Sequence, residues 1–149
     1  MLSIKVASVI PLKGMKLLVF FENGVIKKFD VKPLLSDFPE FALLHDPAIF
    51  QLVQVEPGGY GVSWNDKLDC SEGELWKHGI EIPLELDDFS CFVKHGVVNT
   101  SEAASIMKCT RQNVESSIKR GRIQPLKVYK RMKLFLRTDC SRLSASTKI

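Results

Sequence analysis

The side chains whose types and spacing best suit a chemical role lie between residues 111 and 133. The helix predicted after Thr110 opens with an arginine, a glutamine and an asparagine, whose donors and acceptors match base edges in a major groove. Hydroxyl and cationic side chains follow in the helix and in a predicted hairpin, and such groups contact phosphates. We therefore predict a double-stranded DNA interface made by these residues: Arg111, Gln112, Asn113, Ser116, Lys119, Arg120, Arg122, Lys130, Arg131 and Lys133.

Two helices joined by a short turn are needed to present the first part of this set. Thr100 is placed to N-cap a first helix, in which Ala103 and Ala104 let a second helix approach closely. Thr110 is placed to cap the second helix, and Gly121 is placed to end it. This pattern predicts a helix-turn-helix with the polar face of the second helix outward.

A β-hairpin is predicted next, because residues 123–136 form two apolar runs that meet around Lys130-Arg131. A hairpin that follows a helix-turn-helix acts as a wing, and its basic tip would meet phosphates or the minor groove. Thr138 is expected to begin a last helix that reaches Leu143, with residues 144–149 as a frayed tail.

The charge of the chain is divided unevenly. Residues 1–94 hold 9 Lys/Arg and 14 Asp/Glu, a net charge of −5, whereas residues 95–149 hold 12 and 3, a net charge of +9. This division predicts a basic nucleic-acid-binding module joined to an acidic module that does not bind nucleic acid.

Several other classes of protein are disfavoured by what the 149 residues lack. There is no C-x-x-C pair, no cationic leader and no apolar run of the ~18 residues that a membrane span needs. We therefore expect a reduced, cytoplasmic protein whose four cysteines are buried or inert thiols, with no zinc site. No nucleophile elbow, phosphate-binding loop or H-E-x-x-H pattern occurs, so we expect no enzyme and no cofactor.

Residues 1–80 are predicted to form a small α+β unit. Asn23-Gly24 lies between runs of β-forming residues at 17–21 and 25–31, which is a strong hairpin signal. Other elements are predicted from turn and capping residues: a strand at 6–10, a helix from Asp46 to about Leu52, a strand near 52–55, a hairpin over 61–64 and 67–69, and a helix after Ser71. Tyr60, Trp64 and Trp76 could line a small-molecule pocket, although packing in the core is the interpretation we favour.

The segment 81–96 is a connector of different character. Leu86, Phe89, Phe92 and Val93 follow helical spacing, which predicts a helix with one apolar face. Burial of that face within the chain is the default expectation, and pairing with a second subunit is the alternative.

Residues 21–35 (Phe-Glu-Asn-Gly-Val-Ile-Lys-Lys-Phe-Asp-Val-Lys-Pro-Leu-Leu), Gly-Gly-Tyr-Gly-Val-Ser-Trp at 58–64 and Leu-Asp at 68–69 carry a family resemblance. In this order they resemble the domain-of-unknown-function family numbered 2442, over about residues 3–80. The resemblance implies a small bacterial α+β domain, fused in some members to a DNA-binding domain and encoded in others in toxin–antitoxin-like pairs. No catalytic residues are established for that family, and none are carried over.

The C-terminal part, about residues 97–143, resembles the excisionase and MerR-type winged helix-turn-helix proteins. The positions that match are Thr100, Glu102, Ala103, Ala104, Thr110, Arg111, Gln112, Val114, Ile118, Gly121 and Ile123. This chain departs from the pattern at the turn, where Lys108 replaces a glycine and is expected to need a positive φ, and at the hairpin tip, which also lacks glycine.

The sequence thus predicts an α+β protein: a small N-terminal antiparallel-sheet domain with short helices, followed by a winged helix-turn-helix domain. The expected divisions are 1–80, a connector at 81–96, and 97–149. The expected function is that of a bacterial DNA-binding transcription regulator whose N-terminal domain binds a partner, senses a ligand or dimerises. The alternative is an antitoxin-like interaction module whose acidic domain binds a protein partner.

Overall fold

The computed structural model describes residues 4–146, with side chains described through residue 144. The chain divides into two compact units, Met1–Leu86 and Asp87–Ile149. The boundary lies at the start of a helix within the predicted connector. Both units mix helices with antiparallel sheets, so the α+β class is confirmed.

The first unit contains two sheets and short helices. Its four-stranded antiparallel sheet has the order β1-β2-β3-β7, and its three-stranded sheet has the order β4-β5-β6. The strands are β1 Val6–Leu12, β2 Lys16–Phe21, β3 Ile26–Asp30, β4 Gln54–Val55, β5 Gly61–Ser63, β6 Asp69–Ser71 and β7 Ile80–Ile82. The helices are α1 Lys32–Asp37, α2 Pro47–Phe50 and α3 Glu72–His78, with 3-10 turns at Pro39–His45 and Pro57–Gly59.

The predicted hairpin around Asn23-Gly24 is confirmed. Strand β2 pairs with β3 from Lys16↔Asp30 to Phe20↔Ile26. Gly24 has a φ of +89°, and the Asn23 side chain accepts a hydrogen bond from the Val25 amide at 3.1 Å. A residue with a Cβ adopts this φ only at a cost, which explains the glycine.

The second predicted hairpin is present, but its return strand begins two residues later than expected. Strand β5 pairs with β6 at Asp69–Ser71, instead of with residues 67–69. The reason is local: the Asn65 carboxamide oxygen accepts hydrogen bonds from the amides of Lys67 and Leu68 at 2.7 and 2.8 Å. This side-chain turn uses the residues that the pattern had given to the strand.

The two predicted caps in this unit are confirmed. Asp46 accepts from the Ala48 amide at 3.0 Å, and Ser71 accepts from the Glu74 amide at 3.2 Å. Helix α2 ends at Phe50, two residues before the predicted Leu52, and Phe50 is its buried residue.

The aromatic residues are divided between core and surface. Trp64 is buried between Phe41 and Phe50, with ring centroids 6.2 and 6.3 Å away, as the packing interpretation predicts. Tyr60 is 59% exposed, so its assignment to the core is wrong. It follows Gly59, whose φ of +80° sets the turn that directs the chain into β5.

The second unit contains α4 Leu86–Gly96, whose first residue closes the first unit, then β8 Val97–Asn99, α5 Thr100–Met107, α6 Arg111–Lys119, β9 Lys127–Tyr129, β10 Met132–Leu136 and α7 Arg137–Ser146. Its antiparallel sheet has the order β8-β10-β9. Phe135 and Cys140 are fully buried in a core that also contains the close-packed alanines of α5. Both helices of the predicted helix-turn-helix and both strands of the hairpin are therefore present.

Two helix starts differ from the prediction. Asn99, and not Thr100, caps α5: its side chain accepts from the Glu102 amide at 2.9 Å, while the Glu102 carboxylate accepts from the Asn99 amide at 3.2 Å. Asn99 has extended backbone because it pairs with Leu134 in the sheet, and this geometry suits an N-cap. Helix α7 begins at Arg137 directly from β10 and continues to Ser146, past the predicted Leu143, with Cys140 and Leu143 packed in the core.

The four cysteines differ in burial, and nothing in the structure tests the expectation that the exposed one is inert. Cys91 is exposed and Cys109 is half-buried, whereas Cys70 and Cys140 are buried. Burial, with the nearby carboxylates of Glu74 and Asp69, raises the pKa of the Cys70 thiol to about 12. Burial also raises the pKa of Cys140. These two thiols stay protonated at neutral pH.

The turn between α5 and α6 contains the expected strained residue. Lys108 is exposed and has φ +56° and ψ +47°, the left-handed conformation, and the Cys109 amide donates to the Ala104 carbonyl at 3.0 Å across the turn. A side chain with a Cβ costs about 1–2 kcal/mol in this conformation.

We predict that Lys108→Gly stabilises the second unit by about 0.5–1 kcal/mol, because glycine removes the left-handed strain but adds entropy to the unfolded chain. Ser105→Gly, on the exposed side of α5, is the matched control and should destabilise by about 0.5 kcal/mol. Thermal unfolding followed by far-ultraviolet circular dichroism measures both variants. A destabilised Lys108→Gly variant would contradict the strain assigned to this turn.

Candidate nucleic-acid interface

Helix α6 is fixed at both ends by its own sequence. The Thr110 hydroxyl accepts a hydrogen bond from the Asn113 amide at 3.1 Å, as predicted for an N-cap. At the other end Gly121 has a φ of +71°, its amide donates to Ile118 at 3.0 Å, and the Arg122 amide donates to Ser117 at 2.9 Å. These two bonds form a Schellman motif, which ends the helix where the sequence predicts.

The rotation of α6 about its axis is set by Val114. This side chain is fully buried in the core of the second unit, with Ile118 packed one turn later. At 3.6 residues per turn, Gln112, Ser116 and Lys119 lie on the opposite side. Every predicted interface residue of the helix is exposed: Arg111, Gln112, Asn113, Ser116, Lys119 and Arg120, together with Arg122 just beyond it.

One side of this surface is concave. A cleft of about 290 Å³ is lined by polar and cationic side chains, with some apolar residues and a thiol among them: Asn113, Ser116, Ser117, Arg120, Arg122, Met107, Cys109 and Leu143. Two guanidinium groups and two hydroxyls can together donate several hydrogen bonds to a phosphate. The sequence analysis did not predict Ser117 and Cys109 as site residues. Ser117 could have been found, because it lies one helical turn after the predicted site residue Asn113.

The hairpin presents a second basic surface. Lys130 and Arg131 form its two-residue tip and are exposed, and Lys130 has a φ of +56° where glycine is usual. The Lys130 ammonium lies 5.5 Å from the centre of the exposed Tyr129 ring. Lys127, which the prediction omitted, is also exposed on β9.

Lys133 differs from the other predicted cations. Its ammonium lies 2.6 Å from the Glu115 carboxylate, and its side chain is only 25% exposed. The pair joins β10 to α6, so it holds the hairpin against the helix. Much of the charge of Lys133 is thereby satisfied within the protein.

The remaining cations of this surface are available to a partner. Apart from Lys133, the arginines and lysines of α6 and of the hairpin form no ion pair with any residue of 4–144. They are Arg111, Lys119, Arg120, Arg122, Lys127, Lys130 and Arg131. The second unit carries 13 Lys/Arg and 5 Asp/Glu, a net charge of +8, against −4 for the first unit with 8 and 12. A polyanion is therefore attracted to the second unit.

The first unit has an apolar groove of about 350 Å³, and none of Tyr60, Trp64 and Trp76 is among its lining residues. Its large apolar lining residues are Ile10, Phe20, Phe21 and Leu86, and Glu22 also lines it. Within residues 4–146 no group of three His, Cys, Asp or Glu side chains is placed to hold a metal, and no helix is long and apolar enough to cross a membrane.

Comparisons with known proteins assign part of this chain to a family. No curated protein matches it. The crystal structure of a protein from Nitrosomonas europaea ATCC 19718, named a "Putative DNA Binding Protein", is similar at 21% identity over 82% of this chain and 79% of that one, with a TM-score of 0.45. The family described as "Protein of unknown function (DUF2442)" matches residues 6–81, which lie within the first unit. This is the family whose sequence pattern residues 21–35, 58–64 and 68–69 resemble, and the chain belongs to it.

Proposed function

We propose that the chain binds double-stranded DNA through its second unit and regulates transcription. In this proposal α5 and α6 act as a helix-turn-helix and the β9–β10 hairpin acts as its wing. The observation that carries it is the outer face of α6, where amide, hydroxyl and cationic side chains project opposite the buried Val114. Such a face combines base readout with phosphate contact.

Helix α6 can enter the major groove. An α-helix with its side chains is about 10–12 Å in diameter, which fits a groove ~12 Å wide, and the nine residues of α6 form about two and a half turns. Arg111, Gln112 and Asn113 form its first turn, the part that reaches base edges in helix-turn-helix complexes. Arginine pairs with guanine, and glutamine or asparagine pairs with adenine.

The phosphate contacts are assigned to the rim of this surface. Ser116, Arg120 and Arg122 line the cleft beside α6, and their hydroxyl and guanidinium groups can donate hydrogen bonds to a backbone phosphate. Lys119 lies on the outer face of the helix, and Lys130 and Arg131 extend from the hairpin tip. Lys133 has a positioning role, because its bond to Glu115 fixes the wing relative to α6.

The first unit supplies the regulatory input in this proposal. Its net charge of −4 does not favour contact with DNA, and its apolar groove offers a surface for a ligand or a protein partner.

The apolar groove is also the observation that favours a second candidate function, an antitoxin-like module in which the first unit binds a protein. Co-purification of the chain with the product of an adjacent gene tests this second candidate. In that case the groove residues Ile10 and Phe20 would lie in the contact with the protein partner. The proposal assigns no catalysed reaction to the chain.

Two substitutions on α6 should separate affinity from specificity. Lys119→Ala is expected to weaken binding to all duplexes by a similar factor and to reduce the salt slope by about 1, because it removes one phosphate contact. Gln112→Ala should relax discrimination at one base pair by about 1–3 kcal/mol. Selection from a random duplex pool, followed by titration of the preferred site and its single mismatches, measures both.

Lys13→Ala is the matched control, because Lys13 is an exposed lysine of the first unit and should leave binding unchanged. Equal losses from Lys13→Ala and Lys119→Ala would show that binding is a property of overall charge, against the proposed interface.

A second pair of substitutions tests the wing. Lys130→Ala should lower DNA affinity through a lost phosphate contact, and Lys133→Ala should increase the mobility of the hairpin, because the contact with Glu115 is lost. The Lys133→Ala effect should be reproduced by Glu115→Gln, which keeps Lys133 but weakens the pair. If Glu115→Gln instead raises affinity while Lys133→Ala lowers it, Lys133 contacts DNA directly and its positioning role is wrong.

A further inference from the structure

The cleft beside α6 extends beyond the face that this helix turns toward DNA in the proposed function. Ser117 lines the cleft and lies about 100° round the helix axis from Ser116. Parts of the chain outside α6 complete the lining, namely Met107 at the end of α5, Cys109 in the turn and Leu143 of α7. The cleft is therefore a pocket of the second unit in its own right, and not only the edge of a DNA-facing surface.

Two arginines give this cleft an unbalanced positive charge. Arg120 and Arg122 both line it, and Gly121 between them turns the chain with a φ of +71°. Neither guanidinium forms an ion pair with a residue of 4–144, and none of the described residues that line the cleft is an aspartate or a glutamate. Guanidinium groups bind phosphate oxygens through paired hydrogen bonds, so a phosphate ester is the anion that suits this cleft.

The other lining side chains suit a planar ring beside the phosphate. Met107 and Leu143 are half-buried and apolar, and a thioether makes favourable contacts with aromatic rings. The carboxamide of Asn113 matches the hydrogen-bonding edge of adenine. A DNA backbone phosphate uses the donors alone, whereas small-molecule sites combine apolar residues with a few polar groups. The volume of about 290 Å³ is near the lower end of ligand pockets, ~300–1,000 Å³, which suits a single nucleotide.

We propose that the cleft binds a free adenine nucleoside monophosphate and that the bound nucleotide competes with DNA. Arg120 and Arg122 hold its phosphate, and Asn113 meets the edge of its base. The competition rests on the proposed function, because both arginines are assigned there to backbone phosphates. The nucleotide site itself does not depend on DNA binding, and it gives the second unit a regulatory input of its own.

Calorimetric titration of the full chain at constant ionic strength tests the site with adenosine monophosphate as the probe. Adenosine lacks the phosphate and ribose phosphate lacks the base, so each should bind at least about tenfold more weakly than the nucleotide. Absence of saturable nucleotide binding up to about 5 mM overturns the proposal. Equal binding of ribose phosphate and the nucleotide also overturns it, because the ring would then make no contact.

Substitutions locate the bound phosphate. Arg122→Ala should raise the dissociation constant of the nucleotide at least about tenfold, because charge-assisted hydrogen bonds are lost. Arg122→Lys should recover only part of that loss, since lysine keeps the charge but not the planar fork. Lys94→Ala is the matched control, because Lys94 is an exposed lysine of α4 outside the cleft and its loss should leave nucleotide binding unchanged. Equal effects of Lys94→Ala and Arg122→Ala would assign the binding to net charge and overturn the site.

Fluorescence anisotropy of a labelled duplex tests the competition. At constant ionic strength the nucleotide should raise the apparent dissociation constant for DNA in proportion to its concentration, and Ser117→Ala should weaken nucleotide binding by a larger factor than DNA binding. A nucleotide that binds but leaves DNA affinity unchanged overturns the competition. DNA binding without nucleotide binding overturns this inference alone, whereas nucleotide binding by a chain that binds no DNA supports the site and contradicts the proposed function.

Discussion

The close approach of α5 and α6 is the constraint on which the second unit depends. Ala103 and Ala104 are buried beside Val114, and small side chains at this contact allow the two helices to pack closely. Once Val114 faces inward, the helical period directs Gln112, Ser116 and Lys119 outward. The chemistry proposed for α6 is therefore a consequence of its packing. The pair of Lys133 with Glu115 extends the same logic to the hairpin, because it sets the hairpin against the helix.

Most local structure follows from local sequence. The Asn23-Gly24 hairpin, the Ser71 and Thr110 caps and the helix end at Gly121 each depend on a few neighbouring residues, and all four are present. The errors arise where distant residues decide. Asn99 replaces Thr100 as a cap because it pairs with Leu134, and Lys133 meets Glu115 across 18 positions of the chain. The cleft includes Leu143 for the same reason.

The two units differ in their relation to known families and in their physical features. The first unit belongs to a family of unknown function, and its physical features are a negative charge and an apolar groove. The second unit lies beyond the family match, and its features are an ordered polar helix face, a basic hairpin tip and unpaired cations. In the proposed function the acidic unit receives the regulatory input and the basic unit contacts DNA.

Salt-dependent titration of the full chain with labelled duplex DNA tests the central claim most directly. If about six of the exposed cations contact phosphates, log K should fall linearly with log salt with a slope of about −5, and binding should be easily detected at about 50 mM salt. The substitution Lys119→Ala should make that slope less steep by about 1. Absence of binding at about 50 mM salt, or a slope near zero, would contradict the assignment of the second unit to DNA.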